Sequence, residues 1–143
     1  MESPTPEAAE HLRQAHALHS EGRIEDAIAE AQRALDIYPD YIEALTYLGT
    51  TLITRRLAFE EGLRLLERAA ELAPDDPGVN YSLGWCDEFV AYRLEKQATT
   101  PYRDPLELYE RAAERLQHTI ALNPEKGLKD DASDLLQSIL DRM

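Results

Sequence analysis

Two histidines, His16 and His19, have the spacing that first suggests a chemical site. Because they are three residues apart, they share one face of a helix, and two imidazoles there could bind a transition metal. No third ligand follows at a suitable spacing, since His11 lies about 140° round the helix from His16. We therefore predict that these histidines form no metal site and have another role.

The other reactive side chains lack the partners that catalysis requires. Cys86 is the only cysteine, so it forms no internal disulfide, and spacing places no base beside it. Acidic pairs such as Glu25-Asp26 stand at the starts of predicted helices, where the helix dipole favours carboxylates. The sequence has no Gly-rich phosphate loop, CxxC pair, HExxH motif or nucleophile elbow. It therefore predicts a protein that is not an enzyme, has no catalytic residues and holds no cofactor.

The composition is that of one acidic globular domain. The chain has 143 residues, of which 43% are hydrophobic and 30% charged, and its formal net charge is −13. Such a surface repels phosphate backbones and anionic membranes, so we expect neither nucleic-acid nor membrane binding. The sequence begins with no positively charged apolar leader and contains no run of about 18 apolar residues. We therefore expect a cytoplasmic protein.

The stretch 45–74 indicates how the chain folds locally. Leu45, Leu48 and Leu52 place one apolar stripe on a helix, and a second stripe begins at Phe59. A polar break separates the two stripes, and Pro74 cannot continue the second helix. The pattern predicts a helix, a tight turn and a second helix.

The same hairpin pattern recurs along the chain. Small residues stand 34 or 35 positions apart at Ala15, Gly49 and Gly84, and Pro39 and Pro74 are 35 positions apart. Small side chains at these places let two helix backbones approach closely. We therefore predict three helical hairpins that lie side by side and bury a shared seam.

The third copy of the pattern is longer than the others. From Gly84 to Pro124 there are 40 positions, whereas the corresponding span in the second copy is 25, so about 15 residues are extra. Helical spacing continues to about Gln97, and Asp104 followed by a proline is a strong start for the returning helix. The sequence predicts an elongated hairpin, with inserted residues at about 90–105, whose tip overhangs the stack by about two turns.

A helical hairpin of about 34 residues with a Leu-Gly signature and a closing proline resembles the tetratricopeptide repeat family. The resemblance implies an all-α fold, a right-handed superhelical stack of antiparallel helix pairs with about seven helices and an elongated third hairpin. It implies a single domain over residues 1–143, with repeats at about 7–40, 41–75 and 76–125. The amphipathic segment at about 127–142 is typical of a capping helix.

In tetratricopeptide arrays the first helices of successive repeats line a concave groove that holds a peptide or a helix of a partner. Carried over residue by residue, the resemblance implies a partner-binding groove lined by Leu12, His16, His19, Glu43, Thr46, Thr50, Ile53, Thr54, Tyr81, Trp85, Glu88, Phe89 and Tyr92. Its aromatic part, around Trp85, is the kind of surface that anchors binding. Whether the inserted hairpin covers these aromatic side chains or leaves them free stays open at this point.

The resemblance implies a non-catalytic protein–protein interaction module. Some members of the family clamp a C-terminal carboxylate of chaperone partners, and we predict no such binding here. The matching positions are Leu12, His16, Tyr47, Gly78 and Ser82. Given the acidic surroundings, we expect a partner segment that is apolar with some basic character.

Two other functions stay open as hypotheses. The alternative is a homo-oligomeric scaffold that self-associates through its end faces and the elongated third hairpin. The third hypothesis is an enzyme. A catalytic turnover that a single His or Glu substitution abolishes would support it.

Four further expectations concern individual side chains. Leu57, in a loosened turn, is expected to tuck under the second hairpin. Glu107 and Arg111 have the spacing of a surface ion pair, and Leu94 needs cover that an ordinary repeat would not supply. Asp87 stands where the family usually has an apolar residue, and the sequence does not show how its charge is satisfied.

Overall fold

The computed structural model describes residues 4–97 and 103–143, and in these residues all the regular structure is α-helical. The helices are α1 Pro6–Ser20, α2 Ile24–Ile37, α3 Ile42–Arg56, α4 Phe59–Leu72, α5 Pro77–Lys96, α6 Pro105–Ala121 and α7 Lys126–Arg142. The predicted all-α fold is therefore confirmed, and α5 is the long helix that the third copy of the repeat predicted. The predicted loop at the tip of that hairpin falls on 98–102, outside the described residues.

Two compact units divide the chain, Met1–Leu72 and Ala73–Met143, which we call the N-terminal unit and the C-terminal unit. In the N-terminal unit α1 packs on α2, α2 on α3 and α3 on α4. In the C-terminal unit α5 packs along α6, and α6 packs along α7. No helix within the described ranges is long and apolar enough to cross a membrane.

Three helices begin with the caps that their sequences favour. The Oγ1 atom of Thr5 accepts a hydrogen bond from the backbone N–H of Ala8 at 3.1 Å, and a proline occupies the first turn of α1. Asp76 and Asp104 accept the corresponding bonds at the starts of α5 and α6, at 3.1 and 3.0 Å. These bonds satisfy backbone donors that a helix start leaves without partners, and they fix where each helix begins.

The hairpin of α3 and α4 is held at a point where the two backbones touch. A Cβ atom added to Gly62 would lie 2.5 Å from Cγ1 of Ile53 and 2.7 Å from the carbonyl oxygen of Gly49. A Cβ atom added to Gly49 would lie 2.9 Å from the carbonyl oxygen of Gly62. No side chain fits between the helices there, so the close approach that the small residues predicted is present.

The hairpin of α5 and α6 is packed in a similar way and along its whole described length. A Cβ atom added to Gly84 would lie 3.1 Å from Cγ of Leu116 and 3.3 Å from the carbonyl oxygen of Ala112. Near the other end of α5, Leu94 is only 1% exposed, and the hydroxyl of Tyr109 donates to Oε1 of Glu95 at 3.1 Å. The extra turns of α5 are therefore covered within their own hairpin.

Asp87 is fully buried in this hairpin, and its charge is satisfied by Arg111. The guanidinium donates from Nε to Oδ2 at 2.8 Å and from Nη2 to Oδ1 at 2.7 Å, which is a two-point ion pair between α5 and α6. We expected Arg111 to pair with Glu107 on the surface, and the structure shows that it also has a buried partner, Asp87, across the hairpin. The reason is that a buried carboxylate needs a counter-charge far more than an exposed one does.

The turn between α3 and α4 also differs from the expectation. Leu57 takes the left-handed conformation, with φ of 55°, and the next backbone N–H, that of Ala58, donates to the carbonyl of Leu52 at 3.0 Å. A left-handed residue closes the helix as a glycine usually does. The side chain of Leu57 is 50% exposed and does not tuck under the hairpin.

The contact between α3 and α4 predicts the effect of a single methyl group. Because an added Cβ at Gly62 meets backbone and a buried isoleucine, Gly62→Ala should lower the free energy of unfolding by about 1–3 kcal/mol. Urea unfolding followed by far-UV circular dichroism measures this change. Gly78→Ala is the matched control, because its Cβ would meet only Oδ1 of the exposed Asp76 at 3.3 Å, and its effect should stay below about 1 kcal/mol. Equal stability of the two variants would show that the backbones do not touch.

The buried ion pair predicts a second stability difference. Arg111→Ala removes the two-point contact of the guanidinium with the buried Asp87, so it should cost about 3–5 kcal/mol in the free energy of unfolding. The double variant Asp87→Leu, Arg111→Met removes both charges and should recover most of that loss. The same urea unfolding measurement applies. A single variant as stable as the parent protein would contradict the assignment of the pair.

Candidate functional site

The predicted groove residues of the N-terminal unit fall into two groups. Glu43 and His16 are exposed, and the others that reach the surface are partly exposed, namely His19, Thr46, Thr50 and Thr54. Leu12 and Ile53 are buried, at 4% and 0% exposure. This differs from the expectation that they line the groove, because buried side chains offer no surface to a partner. The accessible residues on α1 and α3 are called the polar face below.

Tyr47 joins the two histidines of the polar face. Its ring meets the imidazoles of His16 and His19 edge-on, with centroid distances of 5.1 and 5.6 Å. Its hydroxyl lies 2.9 Å from Nδ1 of His19, and burial raises the pKa of Tyr47, while a hydrogen bond with Thr51 opposes that rise. The histidines are thus engaged by an aromatic side chain. Across the described ranges, no three His, Cys, Asp or Glu side chains are grouped so that they could hold a metal ion.

The threonines of α3 make the rest of the polar face uncharged. The hydroxyl of Thr46 donates to the carbonyl of Ile42 at 2.9 Å, and that of Thr54 donates to the carbonyl of Thr50 at 2.8 Å. Because these hydroxyl hydrogens are used within the helix, the two oxygens can act toward a partner only as acceptors. The polar face therefore offers hydroxyl and imidazole groups with one carboxylate, that of Glu43.

The predicted residues of the C-terminal unit all keep part of their surface accessible. They lie on α5 at steps of three and four residues and are Tyr81, Trp85, Glu88, Phe89 and Tyr92. The rings of Trp85 and Phe89 are stacked, with centroids 5.5 Å apart and an interplanar angle of 18°. Tyr92 is 43% exposed. We call these five residues the aromatic face.

Three cations lie against the aromatic face, and none of them was predicted from the sequence. Cζ of Arg93 is 5.0 Å from the centre of the Phe89 ring, and Nζ of Lys96 is 5.3 Å from that of Tyr92. Arg142, from the last turn of α7, places its Cζ 5.1 Å from the same tyrosine ring. The four-residue steps from Phe89 to Arg93 and from Tyr92 to Lys96 could have indicated the first two contacts. No spacing indicates the third.

Arg142 ties α7 to the aromatic face by two further contacts. Its Nη1 atom lies 3.7 Å from Oε1 of Glu88 and donates to the hydroxyl of Tyr109 at 3.4 Å. Burial raises the pKa of Glu88, and the charge of Arg142 opposes that rise. Burial likewise raises the pKa of Tyr109. The arginine thus stands among two aromatic rings and one half-buried carboxylate, and it gives the face a fixed edge.

Comparison with known proteins shows a shared fold at low sequence identity. No protein-family model matches the sequence, and no curated protein matches it either. The first TPR of Spaghetti (RPAP3), bound to the HSP90 peptide SRMEEVD, is similar with a TM-score of 0.73 and 15% identity, over 95% of this chain and 92% of that one. The Yersinia enterocolitica type III secretion chaperone SycD, in complex with a peptide of the translocator YopD, is similar with a TM-score of 0.70 and 15% identity, over 94% of each chain.

A third similar structure is a much longer protein. The O-GlcNAc transferase of Thermobaculum terrenum has a TM-score of 0.71 and 26% identity, over 96% of this chain but only 23% of the transferase. Nearly the whole of the present chain therefore corresponds to a helical part of that enzyme. The phased Leu-Gly repeat of the sequence and the likeness of these structures together show that the chain has the fold of the tetratricopeptide repeat proteins.

Proposed function

We propose that the chain is a non-catalytic protein–protein interaction module that binds a peptide or a helix of a partner protein on the first helices of its hairpins. The observation that carries this proposal is the aromatic face, where Trp85 and Phe89 are stacked and accessible. Two of the similar structures hold a peptide of another protein, which supports the proposal by analogy of fold.

The chemistry of the aromatic face suits a binding anchor. Tryptophan and tyrosine offer large apolar surface at a small cost in conformational freedom, so they contribute disproportionately to interface energies. The stacked pair is already rigid, because Phe89 supports Trp85 from one side and Arg93 covers Phe89. When a partner inserts an apolar side chain beside Trp85, little conformational entropy would therefore be lost in ordering the site.

The polar face of the N-terminal unit would offer a partner hydrogen-bond acceptors rather than apolar surface. Its threonine oxygens accept hydrogen bonds, and Glu43 adds a negative charge at the first turn of α3. A partner group that fails to satisfy such acceptors loses affinity when they are buried. The residues proposed to contact a partner there are His16, His19, Glu43, Thr46, Thr50 and Thr54.

The reactive side chains of the chain support a function without catalysis. Cys86 is fully buried, so its sulfur is not accessible to a substrate. The imidazoles of His16 and His19 are both packed against Tyr47. Burial of the thiol and packing of the imidazoles give these three side chains a structural role.

The second candidate function, a homo-oligomeric scaffold, is favoured by one observation. Leu140 and Met143 at the end of α7 are 46% and 52% exposed, and such apolar side chains could pack against a second copy. The acidic residues of the same helix would oppose a symmetric contact by repulsion. Sedimentation velocity over a range of protein concentrations separates the two candidates, because a monomer at all concentrations excludes the scaffold.

The proposed anchor predicts a loss of partner affinity in Trp85→Ala. If Trp85 is the hot spot of the interface, the variant should bind at least about 2 kcal/mol more weakly, which is roughly 30-fold. The partner is first captured from the native cell extract on the unaltered protein, and the affinities are then measured by titration calorimetry.

Two variants control this measurement. Ile37→Ala removes a partly exposed apolar side chain from α2, away from the first helices, and should bind as the parent protein does. Trp85→Phe keeps the stacked ring and should retain part of the affinity. Equal affinity of Trp85→Ala and the parent protein, with unchanged helix content, would refute the aromatic face as the anchor.

A further inference from the structure

We propose that the extra turns of α5 form a carboxylate-binding end of the aromatic face, which takes a partner segment with acidic residues next to an apolar anchor. The inference rests on the proposed function and names the chemistry of the partner. Its basis is a group of three cations held over Phe89 and Tyr92, in a protein whose formal net charge is −13.

The extra turns are an ordered part of the fold. α5 has 20 residues, whereas α1 and α3 have 15 each. On the inner side of this extension Val90 and Leu94 are buried at 0% and 1% exposure. On the outer side it carries Tyr92, Arg93 and Lys96, all exposed. Internal packing therefore stabilises the added length, and its outer surface consists of cationic and aromatic groups.

The cations converge from two helices. Arg93 and Lys96 lie over rings one turn earlier on α5, which is a local contact. Arg142 comes from the far end of the sequence and covers the same Tyr92 ring as Lys96. Contacts with the aromatic rings orient the charged ends of these side chains. Their polar hydrogens that point away from the ring stay available to an acceptor. Such a pre-ordered group loses less freedom when a carboxylate binds.

The pairing of charges distinguishes Arg93 and Lys96 from most arginines of the chain. Arg13, Arg23, Arg33, Arg56, Arg64, Arg68 and Arg111 each have a carboxylate partner. Glu88 partly offsets Arg142, and Glu95 accepts the hydroxyl of Tyr109. Within the part of the chain that the structure describes, Arg93 and Lys96 have an aromatic ring as their contact and no carboxylate within ion-pair distance.

The partner that fits this arrangement carries carboxylates about one helical turn from an apolar residue. An anchor beside Phe89 places the next turn of a helical partner, about 6 Å further along, opposite Arg93, and the turn after that, at about 10.5 Å, opposite Lys96. Arginine pairs with carboxylates through two parallel hydrogen bonds, which favours Asp and Glu over neutral acceptors. For this face the local charges thus point to an acidic partner, whereas the net charge of the chain alone suggested a basic one.

This site is separate from the positions that match the carboxylate clamp of some tetratricopeptide repeat proteins. The clamp positions on α5 are Gly78 and Ser82, near the start of the helix and without charge. Arg93 and Lys96 lie at the opposite end of the same helix, in the extension. A partner held here is recognised by side-chain carboxylates within its segment and needs no free C-terminus.

The test uses a random-sequence peptide display library selected on the full chain. Trp85 is the only tryptophan, so selected peptides that lack tryptophan can be synthesised and titrated by the change in its fluorescence. We expect enrichment of Asp and Glu within about four residues of an apolar residue. We also expect binding to weaken as NaCl is raised from about 0.05 to 0.5 M, because salt screens exposed charges.

Two charge-matched double variants decide whether the extension is the site. Arg93→Gln, Lys96→Gln should weaken binding of the selected peptides by about fivefold or more. Lys126→Gln, Lys129→Gln removes the same charge from exposed positions on α7 and should leave the affinity unchanged. Circular dichroism confirms that both variants keep the helix content of the parent protein.

Each other outcome overturns the inference. Selected peptides that are neutral or basic, and that lose binding in Trp85→Ala, would refute the carboxylate site and leave the proposed function intact. Acidic peptides that bind both double variants equally would place the recognition elsewhere. Failure to select any peptide would count against the carboxylate site and the proposed function together.

Discussion

The close approach of helix backbones in two hairpins, α3 with α4 and α5 with α6, is the constraint on which the rest of the structure depends. At Gly49 and Gly62 no side chain separates α3 from α4, and at Gly84 an added Cβ atom would press against Cγ of Leu116 and the carbonyl oxygen of Ala112, at 3.1 and 3.3 Å. Two helices in such contact have little freedom to rotate about their axes, because rotation would drive a side chain into the opposing backbone. The residues that face outward are thereby fixed, and the polar and aromatic faces follow from the same glycines that close the hairpins.

Much of the fold was predictable because it depends on spacing. Periods of 34 and 35 residues between small residues, with prolines at matching intervals, locate the hairpins, and apolar steps of three and four residues locate the helices. Thr5 and Asp104 cap their helices as their residue types favour. These features are local or repeat along the chain, so a single sequence carries them.

The remaining features depend on how far a side chain reaches in three dimensions. Arg111 pairs with Asp87 across the hairpin, Tyr47 meets two histidines of another helix, and Arg142 reaches the aromatic face from the end of α7. No periodicity specifies which of several surface arginines bends toward a given ring or carboxylate. For the same reason Leu12 and Ile53 were assigned to the surface from their repeat positions, although the local packing buries them.

The ion pair between Asp87 and Arg111 also fixes where α6 lies along α5. If α6 were shifted along α5 by one turn, about 5.4 Å, the guanidinium of Arg111 would leave the buried Asp87, and both hydrogen bonds of the ion pair would be lost. The cost of losing this pair therefore keeps the two helices in their observed relative position. The position of the cations at the end of α5 relative to α6 is thus determined by one ion pair in the middle of the hairpin.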